Sequence, residues 1–293
     1  MAGNFYQFAP IVINGTTIAG MRSIAYNKNV GKYLSRTDGK VSPVMATALQ
    51  YAPRVNLQSE AIASLLTIMG LTTDIPFLAL SAGGAVWQTR KLQASSPVFA
   101  TSTTAEQGTM ALGTLVLDGI EATANNAATI NASLHGYGSS GATDPVAFVG
   151  VTAASDPTVV PSYIIDSCTV DGTAIDEIVS VSLAASYDVE LGHGMQPYPV
   201  MARIGNVGWV LTIRHNLATI LRSKVDKDSS GSFVLKNMVV GGPTRGASTV
   251  TVAVTGFLSV EQADYQQTGN SAFTTTITGR SVAGAIPCTI TLA

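Results

Sequence analysis

Apolar and polar residues alternate along several stretches of the chain, and this alternation predicts β-strands. Residues 54–58 read Arg-Val-Asn-Leu-Gln, so every second side chain is apolar, which is the period of a strand with one buried face. Residues 209–214 repeat the pattern, with Trp209, Leu211 and Ile213 on one face. Further strands are predicted over 115–122, 129–134, 234–240 and 249–258, with turns at Asn125-Asn126 and in the Gly-rich stretch 241–248.

A short helix is predicted after each of the first two strands. Apolar residues recur at the helical period after the first strand: Ile62, Leu65, Leu66 and Met69. Ser59 is predicted to cap this helix, Glu60 to lie in its first turn, and Gly70 to end it. The second helix is predicted to begin at Asn216, with three residues turned inward: Leu217, Ile220 and Leu221.

The same elements occur twice in the same order. "PVMA" occurs at 43–46 and again at 199–202, and the same offset places Val55 on Leu211. Three further pairs of segments resemble each other: "INGTTI" (13–18) and "VDGTAI" (170–175), "GTLVLDGI" (113–120) and "GSFVLKNM" (231–238), and 129–137 and 249–257. Four similar blocks in one order predict a tandem duplication.

The predicted domains cover residues 1–139 and 140–293, joined by the Gly- and Ser-rich stretch 136–144. The first domain has about forty extra residues near 67–110 that the alignment leaves unmatched. We interpret this insertion as a loop or small subdomain that reaches a neighbouring subunit. The predicted fold class is mainly β, with sandwich- or barrel-forming sheets and one short helix in each domain.

Composition favours a subunit of an assembly over an ordinary two-domain monomer. Of the 293 residues, 46% are apolar and 12% are charged, and depletion of charge is typical of interface cores. A net charge of −2 argues against a strongly basic nucleic-acid binder. The N-terminus lacks the pattern of a signal peptide, and the apolar run 61–73 is too short to span a bilayer, so no membrane association is expected.

The sequence contains no recognisable catalytic or metal-binding motif. None of the three histidines lies in such a motif: His135, His193 and His215. Cys168 and Cys288 lack metal-type spacing and are expected to be reduced, buried thiols. Residues 226–231 begin like a calcium loop, but the twelfth position is Asn237 instead of Glu, which favours a polar turn. We therefore expect a protein that is not an enzyme and needs no cofactor or metal.

Two long connections at equivalent positions carry opposite charge. Residues 27–42 hold four basic side chains and one acidic side chain: Lys28, Lys32, Arg36, Lys40 and Asp38. Residues 186–198 hold Asp188 and Glu190. Opposite charges on equivalent loops would allow complementary contacts between subunits. Two solvated loops explain the same charges equally well.

The order of elements resembles the tail-tube fold of long-tailed bacteriophages, which contractile injection systems share. In each copy, a strand near "GTTI" or "GTAI" is followed by a second strand, a long loop, a Pro-Val-Met-Ala step, a strand that runs into a helix, and a hairpin. The resemblance implies a β-sandwich flanked by one helix, with inner strands that join into a barrel around a channel. Rings would stack partly through the long loop. A duplicated domain implies trimeric rings with pseudo-sixfold symmetry.

The function implied by this resemblance is that of a structural virion protein. A tail tube subunit would be assembled in the host cytoplasm, contact other tail proteins and conduct DNA in transit. The alternatives are another ring component of this fold, at the tube end or baseplate hub, and a soluble tandem β-sandwich module that binds a ligand such as carbohydrate. Polar positions of the repeated strands are candidates for the channel wall, and an outer or inter-subunit face is equally open to them: Arg54, Asn56, Gln58, Thr212 and Arg214.

Overall fold

The fold is described from a computed structural model of the chain. The structure describes residues 5–35, 45–70, 77–81, 83–93, 100–101, 104–154, 160–216, 227–239, 244–263, 272–281 and 286–293. Strands dominate these residues, and the predicted mainly-β fold class is confirmed. The second predicted helix, beyond Asn216, lies outside the described residues.

The described residues form 22 strands and one helix. In the first half of the chain the strands are β1 (Phe5–Phe8), β2 (Ile11–Ile13), β3 (Thr16–Ile18), β4 (Met21–Asn27), β5 (Val30–Ser35), β6 (Met45–Tyr51), β7 (Arg54–Ser59), β8 (Phe77–Ala79), β9 (Ala85–Gln93), β10 (Ala100–Thr101), β11 (Thr104–Met110), β12 (Gly113–Thr123), β13 (Thr129–Gly136) and β14 (Val146–Thr152). The helix α1 (Ile62–Met69) lies between β7 and β8 in the chain. The second half contains β15 (Tyr163–Val170), β16 (Thr173–Ala174), β17 (Ile178–Gly192), β18 (Met201–His215), β19 (Asp228–Met238), β20 (Arg245–Ala263), β21 (Ala272–Gly279) and β22 (Cys288–Leu292).

One sheet runs through both halves of the chain. Its longest path is β16-β15-β19-β20-β21-β18-β17-β12-β13-β7-β4. We call eight neighbouring strands of this path the central sheet: β4, β7, β13, β12, β17, β18, β21 and residues 256–263 of β20. The two halves meet where β12 pairs with β17. A smaller sheet, β14-β11-β9-β2-β3 with β1 and β10 on β9, accompanies the first half.

One face of the central sheet is buried in the hydrophobic core. Val55 and Leu57 of β7 and Leu211 and Ile213 of β18 are almost fully buried, as the alternating pattern predicts. Residues of the smaller sheet, of α1 and of β15 and β19 belong to the same hydrophobic cluster. The central sheet is therefore one layer of a sandwich whose core continues across both halves.

The helix α1 begins later than predicted. Ala61 occupies the N-cap position without a side-chain hydrogen bond, so the prediction of Ser59 as the cap is wrong. Ser59 ends β7, and its hydroxyl accepts a hydrogen bond from the Ala61 N–H at 3.0 Å. Glu60 precedes the helix and forms an ion pair with Arg22. The predicted end at Gly70 is confirmed, with a left-handed φ of 61°.

Two long antiparallel ribbons have the same length and the same register at both ends. In the first, β4 and β5 face β7 and β6; in the second, β17 faces β18. At one end, Met21 lies opposite Ser59 in the first ribbon and Ile178 lies opposite His215 in the second. At the other end, the corresponding pairs are Ser35 with Met45 and Gly192 with Met201. The stretches predicted as long loops are therefore strands as far as Ser35 and Gly192. Residues 36–44 lie outside the described residues.

A hairpin lies beside each ribbon, and the two hairpins also share a register. Gly113 lies opposite Gly136 in the first hairpin, as Gly256 lies opposite Gly279 in the second. Four residues further along, Leu117 lies opposite Ala132 and Val260 lies opposite Thr275. By position, β12 and β13 thus correspond to β20 and β21. The sequence blocks instead aligned β12 with β19, since both strands share a short Val-Leu pattern. These registers support a duplication, which together with the two-domain division remains a prediction.

The segment predicted as an insertion is an integral part of the smaller sheet. Strand β9 pairs with β1, β2, β10 and β11, so it is not an appended loop. Strand β14 pairs with β11, although it follows the predicted domain boundary at residue 139. Strand pairing therefore groups residues up to 152 with the first half and residues from 163 with the second.

Candidate assembly and channel face

The side of the central sheet that faces away from the core is lined mostly by small polar side chains. From β4 to β21 they include Ser23, Asn27, Arg54, Asn56, Gln58, Asn131, Ser133, Ser182, Ser180, Thr212, Arg214, Thr274, Thr276 and Thr278. Strand registers align them in one continuous face, with Asn56 opposite Ser133 and Ser182 opposite Thr212. The structure thus places all five predicted channel residues on a single face.

This polar face carries little net charge. Arg54 forms an ion pair with Asp118, with an N–O distance of 3.4 Å. Glu121 and Arg214, which are exposed, supply the other charges among the side chains described on this face. Acidic and basic groups therefore balance, and most of the surface is neutral amide or hydroxyl.

A buried polar network joins the two halves on this face. Asp118 is the extra residue of a bulge in β12, and its carboxylate accepts hydrogen bonds from the Ser133 hydroxyl at 3.1 Å and from the Tyr187 hydroxyl. The Ser133 hydroxyl also lies 3.3 Å from Nε2 of His135. Tyr187 of β17 lies opposite a bulge in β18, so a side chain of the second half completes a network built on the first.

Two members of the network favour their uncharged forms. Burial, followed by the charge of the nearby Arg54, lowers the pKa of His135 to about 4, although Asp118 opposes the shift. Burial, followed by the hydrogen bond to Asp118, raises the pKa of Tyr187. At neutral pH His135 is therefore neutral and Tyr187 keeps its proton.

The strand pair across the two halves is short and regular. Five residues of β12 pair with five of β17, from Gly119 opposite Ala184 to Thr123 opposite Ser180. The strands equivalent to these two by register are β20 and β4. Among the described residues, β4 pairs only with β7, and β20 beyond Leu258 pairs only with β21. Within the part of the chain that the structure describes, the central sheet thus ends in two unpaired edges.

Apolar side chains are exposed beside both edges. Val30, just beyond β4, is 39% exposed, and Phe257 of β20 is 44% exposed. Unpaired strands next to exposed apolar residues are the usual starting point for strand addition, and native proteins cover them in an assembly or protect them.

The predicted contact residues of the two connections have different surroundings. Lys28 forms an ion pair with Asp144 at 2.7 Å and lies over the stacked rings of Tyr51 and Tyr198. Its hydrogen bond to Asp144 raises the pKa of Lys28. Lys28 thus already joins the first ribbon to the turn of the second within one chain.

The acidic residues of the second ribbon are exposed. Asp188 accepts a hydrogen bond from the Asn206 amide at 2.7 Å, and Glu190 lies opposite Arg203 in the ribbon. Arg36, Lys40 and the side chain of Lys32 lie outside the described residues. Complementary contacts between the two connections therefore remain a prediction.

Reactive groups elsewhere in the described residues are buried and dispersed. The Nε2 of His215 lies 2.9 Å from the Thr275 hydroxyl in the core. Cys168 and Cys288 are buried thiols, and burial raises the pKa of the Cys168 thiol to about 12. In the part of the chain that the structure describes, no three His, Cys, Asp or Glu residues group as metal ligands would. Its helix is also too short to cross a membrane.

The sheet registers identify features that sequence reasoning missed. Asp118 and Tyr187 were not predicted as site residues. Asp118 is the extra residue of a bulge in β12, which breaks the alternation of that strand, and Tyr187 lies opposite a bulge in β18. The correspondence of β12 with β20 leaves a weak signal in the sequence. Similar tripeptides occur at the equivalent positions: "GTL" beginning at Gly113 and "GFL" beginning at Gly256. Compared with protein-family models and with curated proteins, the chain matches none.

Proposed function

We propose that this protein is a bacteriophage tail tube subunit that polymerises into stacked rings around a channel for DNA. The observation that carries the proposal is the central sheet, which is polar on one face and whose two edge strands have no further partner among the described residues. An assembly that joins these edges removes the exposed backbone groups, as closure of a barrel does.

The two edges favour head-to-tail rings. They belong to different strands, β20 and β4, so a contact between them is heterologous and generates a ring where the rotation closes. Each chain contributes two similar four-stranded sheets, already joined at β12 and β17. Three chains would then supply six such sheets, which matches the sixfold symmetry implied by the resemblance to tail tubes.

A polar and nearly neutral wall suits a channel that conducts DNA. A wall rich in Lys and Arg would bind phosphates and release counterions, and so retain the DNA. Hydroxyl and amide side chains interact with a hydrated backbone without that electrostatic attraction. Asn56 and Thr212 would be typical lining residues, and the Arg54 charge is compensated by Asp118.

Electron microscopy of the concentrated full-length protein tests the proposal. We expect rings or hollow filaments with threefold symmetry, and a ring mass of three chains of 30.2 kDa in native mass spectrometry. Particles without a central hole, rings with a chain number other than three, or a protein that stays monomeric at high concentration would count against it. High abundance in virions would favour the tube over a tube-end or hub ring.

A further inference from the structure

We infer that the β20 edge of one chain pairs antiparallel with the β4 edge of the next, with Glu261 opposite Asn27. The inference rests on the proposed function and specifies its interface: the partner is a second copy of this chain, bound at one register. Its template is the strand pair that already joins the two halves within the chain.

The register follows from equivalent positions on both sides of that internal pair. On one side, the pairing of Gly119 with Asn131 corresponds to that of Glu261 with Thr274. On the other, the pairing of Ala184 with Val210 corresponds to that of Asn27 with Arg54. Since Gly119 lies opposite Ala184 within the chain, Glu261 lies opposite Asn27 between chains. The next pairs are Gln262 opposite Tyr26 and Ala263 opposite Ala25.

The same equivalences also predict which side chains meet beside this register. Within the chain, Tyr187 crosses onto the first half and its ring meets that of His135 edge-on, with centroids 6.4 Å apart. The residue equivalent to Tyr187 is Val30, and the residue equivalent to His135 is Thr278. Phe257 lies directly opposite Thr278 in the β20–β21 pair.

The contact between chains therefore differs in chemistry from the one within the chain. Val30 of one copy packs on Phe257 and Thr278 of the next, where the internal junction has the hydrogen-bonded Tyr187, Asp118 and His135. This contact covers two of the large apolar side chains that are exposed in the single chain. The internal junction uses a polar network because it forms once, during folding, whereas association between chains gains from apolar burial.

Disulfide cross-linking of assembled protein tests the register. We expect Asn27→Cys with Glu261→Cys to give covalently linked chains under mild oxidation, because directly opposite residues lie within the 7 Å that a disulfide tolerates. Ser23→Cys with Glu261→Cys is four residues out of register, about 13 Å along the strand, and is expected not to link. The wild type controls for Cys168 and Cys288, which are buried.

A charge-pair experiment tests the apolar contact. Val30→Lys or Phe257→Glu alone is expected to raise the concentration needed for assembly about tenfold, equivalent to about 1.4 kcal/mol, and the double variant to restore much of the loss. Val239→Lys, at a residue that is 46% exposed away from both edges, is the matched control and is expected to assemble normally.

The outcomes separate the interface from the function. Threefold rings that cross-link at Ser23 and Glu261, or that show no rescue in the double variant, overturn the register and leave the proposed tube intact. Wild-type protein that forms no ring overturns both. Rings in which only Asn27 and Glu261 link, together with rescue, support both.

Discussion

Gly113 begins strand β12, and Gly256 lies where β20 changes one of its partner strands. Strand β20 pairs with β19 as far as Phe257 and with β21 from Gly256 onward. A Cβ atom at 256 would lie 1.9 Å from the carbonyl oxygen of Thr278, and one at 113 would lie 2.8 Å from that of His135. Because glycine alone lacks this atom, it allows the two backbones to approach so closely.

Gly256→Ala is expected to destabilise the protein markedly. The new methyl group meets backbone instead of a flexible side chain, so the strand must shift, at a cost of about 1–3 kcal/mol or more. Urea denaturation followed by circular dichroism measures the change. Gly150→Ala is the control, since nothing lies within 4 Å of a Cβ atom there. Equal stability of the two variants would contradict the tight crossing.

His135 predicts a pH dependence of stability. Its pKa in the fold is about 4, below the ordinary 6.5, so the unfolded chain binds the proton more readily between these values. The stabilisation is complete above pH 6.5 and is lost as the pH falls towards 4, by about 3 kcal/mol in all. His135→Gln is expected to flatten the unfolding free energy over this window. An unchanged slope in His135→Gln would assign it to other groups.

At the scale of elements, local periodicity predicted individual strands well, but it predicted poorly which strands pair with each other. The alternation in β7 and β18 and the stripe of α1 lie where expected, because each depends on residues close in the chain. The pattern did not predict that the first ribbon continues beyond Asn27. Lys28-Asn29 and Ala52-Pro53 resemble turns in the sequence, whereas in the structure they only interrupt the strands.

Pairing between distant strands leaves a weaker signal in the sequence. Strand β9 lies in the middle of the smaller sheet, yet its apolar residues do not alternate: three are consecutive, Ala85 to Trp87, and the fourth is Leu92. Trp87 is buried and packs on Gly108. For the candidate face, alternation placed Arg54 and Thr212 on polar sides of their strands. It could not show that β12 joins β17, because that register depends on two separate halves meeting.

The junction of β12 and β17 depends on its polar network. Tyr187→Phe removes a donor to the carboxylate of Asp118, and we expect the free energy of unfolding to fall by about 1.5–3 kcal/mol, the usual value for a hydrogen bond to a charged group. Asp118→Asn and the double variant complete a double-mutant cycle. Because the groups share one network, their effects are expected to be non-additive. Strictly additive losses in urea unfolding would show that the two residues act independently.

At the scale of the whole molecule, three properties are consistent with one assembly. The chain has few charges, its central sheet has two edges that no other described strand pairs with, and one face of that sheet is polar and nearly neutral. Separately, each has a simpler explanation, such as an ordinary surface. Together they describe a subunit that covers its sides with neighbours and keeps one face in contact with water.

Labelling of Asn56→Cys in assembled protein decides what that face contacts. Asn56 is exposed in the single chain, so a small maleimide and a maleimide carrying a large polymer both react before assembly. If the face lines a channel, the small reagent still labels the assembled protein and the large one is excluded. Thr17→Cys, exposed on the smaller sheet, is the control and is expected to react with both reagents. Reaction of Asn56→Cys with both reagents after assembly would place the face outside the tube, and reaction with neither would place it between subunits.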